Sequence, residues 1–213
     1  MSLQDLISWK SGPNRKPLVL QGVRQCGKTF LIKDFAERNY SDVAYYSLDK
    51  DANIKGFFEQ DLDPKRIIKD LGLARGKTIK PNETLIIFDE IQECSKAVTS
   101  LKYFAEDAPE YHVISAGSLL GVAMKKGTSF PVRKVEFLTL YPMSFFEFMY
   151  AQNKILAEEL KNSSLSDDIW KTFRNELLEN ILTFWLLEGC RKWCRFGSKR
   201  QVLKKWRRSK MRS

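Results

Sequence analysis

Residues 22–29 read GVRQCGKT, which is Gly, four further residues, and then Gly-Lys-Thr. The preceding residues 17–21, PLVLQ, are mostly apolar and predict a short buried strand. The following residues 29–39, TFLIKDFAERN, place apolar side chains on one face of a helix. A glycine-containing turn between a strand and a helix is the context in which this spacing predicts a phosphate-binding loop.

The residue types in this loop suit the binding of a phosphate. Glycines let backbone N–H groups approach an anion closely, and the helix that follows adds the positive end of its dipole. Lys28 is predicted to reach the β- and γ-phosphates, and Thr29 to offer its hydroxyl to Mg²⁺. The predicted nucleotide-binding residues are Gly22, Val23, Arg24, Gln25, Cys26, Gly27, Lys28 and Thr29. The alternative is a turn that matches the spacing by chance.

A second apolar run, TLIIFDE at residues 84–90, ends in two acidic residues. As a buried strand it would carry Asp89 to the carboxyl edge of a parallel sheet, where such sheets bind ligands. Asp89 is predicted to hold Mg²⁺, and Glu90 to polarise the water that attacks the γ-phosphate. The alternative is a strand that ends in a solvated acidic turn.

Other polar residues are candidates for contact with the γ-phosphate or the transition state. Ser115 and Ser118 flank the end of the predicted strand YHVISAGS, and Ser118 is the preferred catalytic candidate. A hydroxyl that caps the next helix would explain Ser118 nearly as well. Arg24, Arg133 and Lys134 could each supply positive charge, and the sequence does not select among them.

The rest of the chain alternates strands with helices. Further strands are predicted at 43–48 and 135–140, and helices at 57–76, 98–109, 145–160 and 169–180, the first broken at Asp63-Pro64. This alternation predicts an α/β fold in which helices cover both faces of a parallel sheet. The expected organisation is a core at 1–160, a linker and helix at 161–180, and a tail at 181–213.

Four segments together resemble the prokaryotic AAA-type ATPases of the P-loop class, over roughly residues 3–180. They are RKPLVLQGVRQCGKTFLIKDF, TLIIFDEIQ, EYHVISAGSLLG and SFPVRKVEFLTLYPMSFFEF. The resemblance implies a three-layer sandwich with a five-stranded parallel sheet, here with a short helical C-terminal extension. It implies ATP and Mg²⁺ as cofactors, residues 22–29 as the Walker A motif and Asp89-Glu90 as the Walker B motif. It also implies a homo-oligomer, since a neighbouring subunit often supplies an arginine in such ATPases.

The net charge of +10 is concentrated at one end of the chain. Residues 181–213 contain 11 Lys/Arg and one acid, which leaves 25 basic and 25 acidic residues in 1–180. The neutral body does not support nucleic-acid binding, so only the basic tail offers a route to nucleic acid or an anionic membrane. A cytoplasmic location without a membrane span is expected, because no run approaches about 18 apolar residues and the N-terminus has no signal-peptide pattern.

The composition of the tail suggests an error of reading frame. Codons compatible with residues 188–196, read two bases out of frame, can encode Gly-Met-Pro-Glu-Val-Val-Gln-Val, a segment similar to the one that follows in the family. We therefore expect residues 181–213 to be out of frame and unstructured, and the chain to be truncated after about residue 180. An ATP-binding remnant without turnover is then the alternative to Mg²⁺-dependent ATP hydrolysis.

Overall fold

The computed structural model describes residues 3–118, 131, 133–164 and 168–189, and their contacts form two compact units, Met1–Pro142 and Met143–Ser213. The strands of the first unit are β1 Leu18–Gln21, β2 Asp42–Ser47, β3 Thr84–Asp89, β4 His112–Gly117 and β5 Glu136–Thr139. They form one sheet in the order β2-β3-β4-β1-β5, and each neighbouring pair is parallel. The predicted α/β fold with a five-stranded parallel sheet is therefore confirmed.

Helices cover both faces of this sheet. They are α1 Leu3–Ser11, α2 Lys28–Asn39, α3 Ala52–Gln60, α4 Pro64–Ala74 and α5 Ser95–Asp107, with a 3₁₀ turn at Ile91–Glu93. Leu85 and Ile87 of β3 belong to the apolar cluster that contains α1 and α2, whereas Ile86 and Phe88 belong to the cluster that contains α3, α4 and α5. Because both faces are covered, β3 is buried along its whole length, which explains its continuous apolar run.

Helices α3 and α4 replace the predicted helix 57–76, and the break falls at Asp63-Pro64 as expected. The Asp63 side chain caps α4 by accepting the backbone N–H of Lys65 at 3.0 Å. Pro64 occupies the first turn, where its missing N–H would have no partner within the helix. Asp51 caps α3 in the same way, and this helix therefore begins earlier than predicted.

The second unit contains the helices α6 Phe145–Gln152, α7 Lys154–Asn162, α8 Asp168–Thr172 and α9 Arg174–Gly189. The predicted helix 145–160 is thus two helices. Asn153 separates them because its side chain caps α7, accepting the N–H of Leu156 at 3.1 Å, while its own N–H bonds to Met149 at the end of α6.

Helix α9 continues to Gly189, beyond the end of the predicted helix 169–180. The expectation of an unstructured tail is therefore wrong for residues 181–189, and residues 190–213 lie outside the described part of the chain. The predicted end of the core at residue 160 stays a prediction. In the structure, α6 and α7 belong to the second compact unit, together with the later helices. Within the described residues, no helix has the length and apolar character needed to cross a membrane.

Candidate functional site

The loop at residues 22–27 leaves the carboxyl end of β1, which lies between β4 and β5 in the sheet. A Cβ atom on Gly22 would lie only 2.3 Å from the backbone oxygen of Leu140, so this position has no room for a side chain. Gly27 adopts φ +96°, a left-handed conformation, directly before α2. The two glycines therefore permit a close backbone approach at the start of the loop and a sharp turn into the helix at its end.

Lys28 is the first residue of α2, and its side chain is only 7% exposed. The Nζ atom donates to the backbone oxygens of Gly22 at 2.9 Å and Val23 at 2.8 Å. These bonds matter because a buried ammonium group without partners would be strongly destabilising. Cys26 is a free thiol within the same loop, and its Sγ lies 3.9 Å from the Lys28 Nζ. Lys28, which the sequence predicts to bind phosphate, thus has its ammonium group hydrogen-bonded to the backbone of the loop.

Asp89 is the point at which three elements of the fold meet. Its Oδ2 atom accepts a hydrogen bond from Thr29 Oγ1 at 2.9 Å and another from the Tyr45 hydroxyl at 2.6 Å. Its Oδ1 atom accepts the backbone N–H of Glu90 at 3.1 Å. Thr29 follows β1 and Asp89 ends β3, so their contact depends on both strands ending at the same edge of the sheet. The structure therefore brings together the two residues that sequence analysis assigned to a metal ion.

Sequence analysis did not identify Tyr45. It lies on β2, and the ammonium group of Lys33 on α2 lies 4.0 Å from the centre of its ring, a cation–π contact. Burial, and then the hydrogen bond to Asp89, raise the pKa of the Tyr45 phenol well above its usual value. The hydroxyl therefore keeps its proton and acts as the donor in the contact with Asp89.

Glu90 adopts a left-handed backbone conformation, with φ 51°, that residues other than glycine seldom adopt. Its Oε2 atom accepts from the side-chain amide of Gln92 and, at 3.4 Å, from Ser118 Oγ. Ser118 in turn lies 3.4 Å from the Nε atom of Arg24 in the glycine-containing loop. The structure thus places Arg24 and Ser118 in one chain of polar contacts with Glu90, and Gln92 is a further neighbour that the sequence did not indicate.

The other candidates lie elsewhere. The Ser115 side chain is fully buried within β4, and its Oγ has no hydrogen-bond partner among the described residues. Arg133 and Lys134 precede β5 and therefore lie at the amino edge of the parallel sheet, opposite the loop that follows β1. Lys134 forms a 3.0 Å ion pair with Glu106 there. Of the three basic candidates, only Arg24 lies at this site.

The donor chemistry at the carboxyl edge fits Mg²⁺. This ion prefers oxygen ligands, and the Thr29 hydroxyl and the Asp89 carboxylate offer oxygens that lie 2.9 Å apart. Asp89 is 7% exposed, and the donors that contact its side chain are two hydroxyls and a backbone N–H, which are all uncharged. Thr29 and Asp89 are therefore the residues that could hold a metal ion.

A parallel sheet, a glycine-containing loop between β1 and α2 and an acidic end to β3 define a P-loop NTPase. The family model for the AAA domain matches residues 14–149, which is more than half of the chain, and the chain belongs to this family. An ATPase-type function in general follows from that membership. The predicted family and fold class are confirmed.

Among solved structures, the structure of C. elegans PCH-2 is similar, with 15% sequence identity and a TM-score of 0.42. The similarity covers 78% of this chain and 46% of that chain, so the present chain spans less than half of that protein. No curated protein matches the sequence.

Proposed function

We propose that the chain binds ATP together with Mg²⁺ and hydrolyses the bond to the γ-phosphate. The observation that carries this proposal is the 2.9 Å hydrogen bond between Thr29 and Asp89, which joins the glycine-containing loop to the acidic strand end. A hydroxyl from the start of α2 and a carboxylate from the end of β3 are the two protein ligands that Mg²⁺ has in P-loop NTPases. The bound ion would neutralise charge on the β- and γ-phosphates.

The positions of the loop residues support the roles that we propose for them. Lys28 would donate to phosphate oxygens, since its ammonium group already lies against the loop backbone. The backbone N–H groups of residues 22–29 and the positive end of the α2 dipole would add further donors. Thr29 and Asp89 would hold the metal ion, and both nucleotide and metal would thus be bound at one edge of the sheet.

Glu90 is the proposed base that orients and polarises the attacking water. It directly follows the proposed metal ligand Asp89, and its carboxylate is held by Gln92 and Ser118. Ser118 would contribute its hydroxyl next to the γ-phosphate, with Arg24 near it. These contacts support Glu90 and Ser118 as partners in catalysis.

Nucleotide binding is tested with Lys28→Ala, measured by calorimetric titration of ADP and a non-hydrolysable ATP analogue in the presence of Mg²⁺. Loss of a charged hydrogen-bond donor should weaken binding about 10- to 100-fold. Lys102→Ala on α5 is the control, since its ammonium group lies near the Tyr103 ring and contacts nothing in the site. Unchanged affinity in Lys28→Ala would exclude the loop as the phosphate site.

Hydrolysis is tested with Glu90→Gln, which keeps the size of the side chain and removes the base. Turnover should fall about 100-fold or more, while nucleotide affinity stays the same. Glu93→Gln, an exposed position in the 3₁₀ turn that follows Glu90, serves as the matched control. Nucleotide binding without turnover in the unmodified chain would instead support the alternative, an ATP-binding protein that does not hydrolyse ATP.

Members of the family commonly assemble into oligomers, and we extend this to the present chain as part of the proposal. Sedimentation of the Glu90→Gln variant with Mg²⁺ and ATP tests it. A sedimentation coefficient that stays that of a monomer at every protein concentration would contradict assembly.

A further inference from the structure

We propose that Tyr45 is a positioning residue for the metal site, because its hydroxyl fixes the Asp89 carboxylate in the orientation that binds Mg²⁺. The inference rests on the proposed function. Tyr45 belongs to neither of the two sequence motifs and lies on β2, at the edge of the sheet next to β3. Its role would be to act through Asp89, without touching nucleotide or metal.

The hydrogen bonds of the Asp89 carboxylate show what Tyr45 contributes. Tyr45 donates to Oδ2 at 2.6 Å, a shorter contact than that of Thr29 to the same atom at 2.9 Å. Hydrogen bonds to an ionised carboxylate are both short and strong. Thr29 is itself a proposed metal ligand, so its hydroxyl has to serve two partners when the ion is bound. Tyr45 is not a proposed metal ligand, so its hydroxyl can hold the carboxylate whether or not Thr29 changes partner.

The register of the sheet explains why a tyrosine is suited to this position. Tyr45 pairs with Ile87 of β3, and Asp89 lies two residues further along the same face. Two residues of a strand span about 7 Å, a distance that a long rigid side chain can cover and a serine or threonine cannot. The ring therefore reaches along the sheet and presents its hydroxyl to the carboxylate at the strand end.

The ring of Tyr45 is also held from the side of α2. The Lys33 ammonium group lies 4.0 Å from the ring centre, and Lys33 is one helical turn after Thr29. Helix α2 thus carries the proposed metal ligand Thr29 and also orients Tyr45, which positions the second proposed ligand, Asp89. Partners that orient metal ligands in this way commonly change metal affinity by about 10- to 100-fold when they are removed.

The adjacent residue, Tyr46, provides a matched control on the same strand. Its hydroxyl donates to the backbone oxygen of Leu71 at 2.8 Å, and its side chain packs on the opposite face of the sheet. Tyr46→Phe and Tyr45→Phe therefore each remove one phenolic hydroxyl from β2. Only Tyr45→Phe removes a donor to Asp89.

The experiment measures ADP affinity by calorimetry at free Mg²⁺ concentrations from zero, set with EDTA, to the millimolar range. The Mg²⁺ concentration at the midpoint of the change should rise about ten-fold in Tyr45→Phe and stay unchanged in Tyr46→Phe. ADP affinity in EDTA should be the same in both variants, because the phosphate loop is untouched. ATPase assays should show turnover of Tyr45→Phe recovering at high Mg²⁺.

Equal Mg²⁺ midpoints in Tyr45→Phe and Tyr46→Phe would overturn the inference. Should Tyr45→Phe not fold, Lys33→Met removes the cation over the ring and keeps the hydroxyl. It should raise the midpoint about two- to three-fold, because an exposed cation–π contact contributes little energy. An unchanged midpoint would again refute the role. Failure of the proposed function is a different result, namely ADP binding that survives Lys28→Ala.

Discussion

The stability of the first unit should depend on pH through His112, the one histidine in the sequence. Its Nδ1 atom lies 2.6 Å from the Tyr40 hydroxyl, and its Nε2 atom lies 3.2 Å from Asn82 Oδ1. A neutral ring with its proton on Nε2 satisfies both partners, because it accepts from Tyr40 and donates to Asn82. A protonated ring carries two donors and would lose the hydrogen bond from Tyr40.

Burial, followed by the positive charges of Arg15 and Lys10, lowers the pKa of His112 from 6.5 to about 4. Between these values the unfolded chain binds a proton that the folded chain does not, so stability falls as pH falls through this window. One unit of pKa difference between the unfolded and folded chain corresponds to about 1.4 kcal/mol. The full loss of stability below pH 4 is therefore about 3.4 kcal/mol. About 2 kcal/mol of this should be lost between pH 7 and pH 5.

The assay is urea denaturation at pH 7, 6 and 5, followed by circular dichroism, on the unmodified chain and on His112→Gln. Glutamine keeps one donor and one acceptor and does not titrate, so the variant should be less stable at pH 7 but nearly insensitive to pH in this window. The reasoning is refuted if His112→Gln shows the same loss between pH 7 and pH 5, or if the unmodified chain shows none.

Two further predictions, one on the backbone and one on an ion-pair cluster, are tested by the same denaturation assay. Gly22→Ala should lower the free energy of unfolding by about 2 kcal/mol or more, because its Cβ would lie 2.3 Å from a backbone oxygen. Gly56→Ala, in open space on α3, should instead raise it by about 0.5–1 kcal/mol. Equal effects of the two substitutions would contradict the proposed clash. Asp42→Asn should destabilise by about 2 kcal/mol, because the 13% exposed carboxylate pairs with Arg75 at 2.7 Å and Lys77 at 2.6 Å. Burial alone would raise the pKa of Asp42, but hydrogen bonds from these two residues lower it. The difference in stability between the unmodified chain and Asp42→Asn should therefore be full above pH 3.8 and shrink at lower pH. A stability difference that is constant with pH would argue against the pairing.

The strand, loop and helix around residues 22–29 were predictable because local signals agree there. An apolar strand, two glycines and an amphipathic helix each favour the observed conformation without help from distant residues. Helix α1 was not predicted, since only Leu6 and Trp9 of its nine residues are buried. Its helical pattern is therefore weak, and packing against the sheet and α2 supports it instead.

The meeting of Thr29 and Asp89 was also predictable, because the carboxyl ends of parallel strands share one edge. The same rule separates the basic candidates. Arg24 follows β1 and lies at that edge, whereas Arg133 and Lys134 precede β5 and have to lie at the other. The sequence analysis did not apply this rule to the three bases, and the observed strands show that only Arg24 lies at the carboxyl edge.

Tyr45 shows where such reasoning ends. Successive side chains of a strand point to opposite faces, so of two adjacent tyrosines one faces α2 and the other faces α4. The apolar pattern of β2 does not say which, because Val43 and Ala44 are equally compatible with either face. The pairing of β2 with β3, in which Ser47 lies opposite Asp89, fixes the register and places Tyr45 within reach of the carboxylate. A one-residue shift would direct Tyr46 to Asp89 instead, so the comparison of Tyr45→Phe with Tyr46→Phe tests this register together with the role of the hydroxyl.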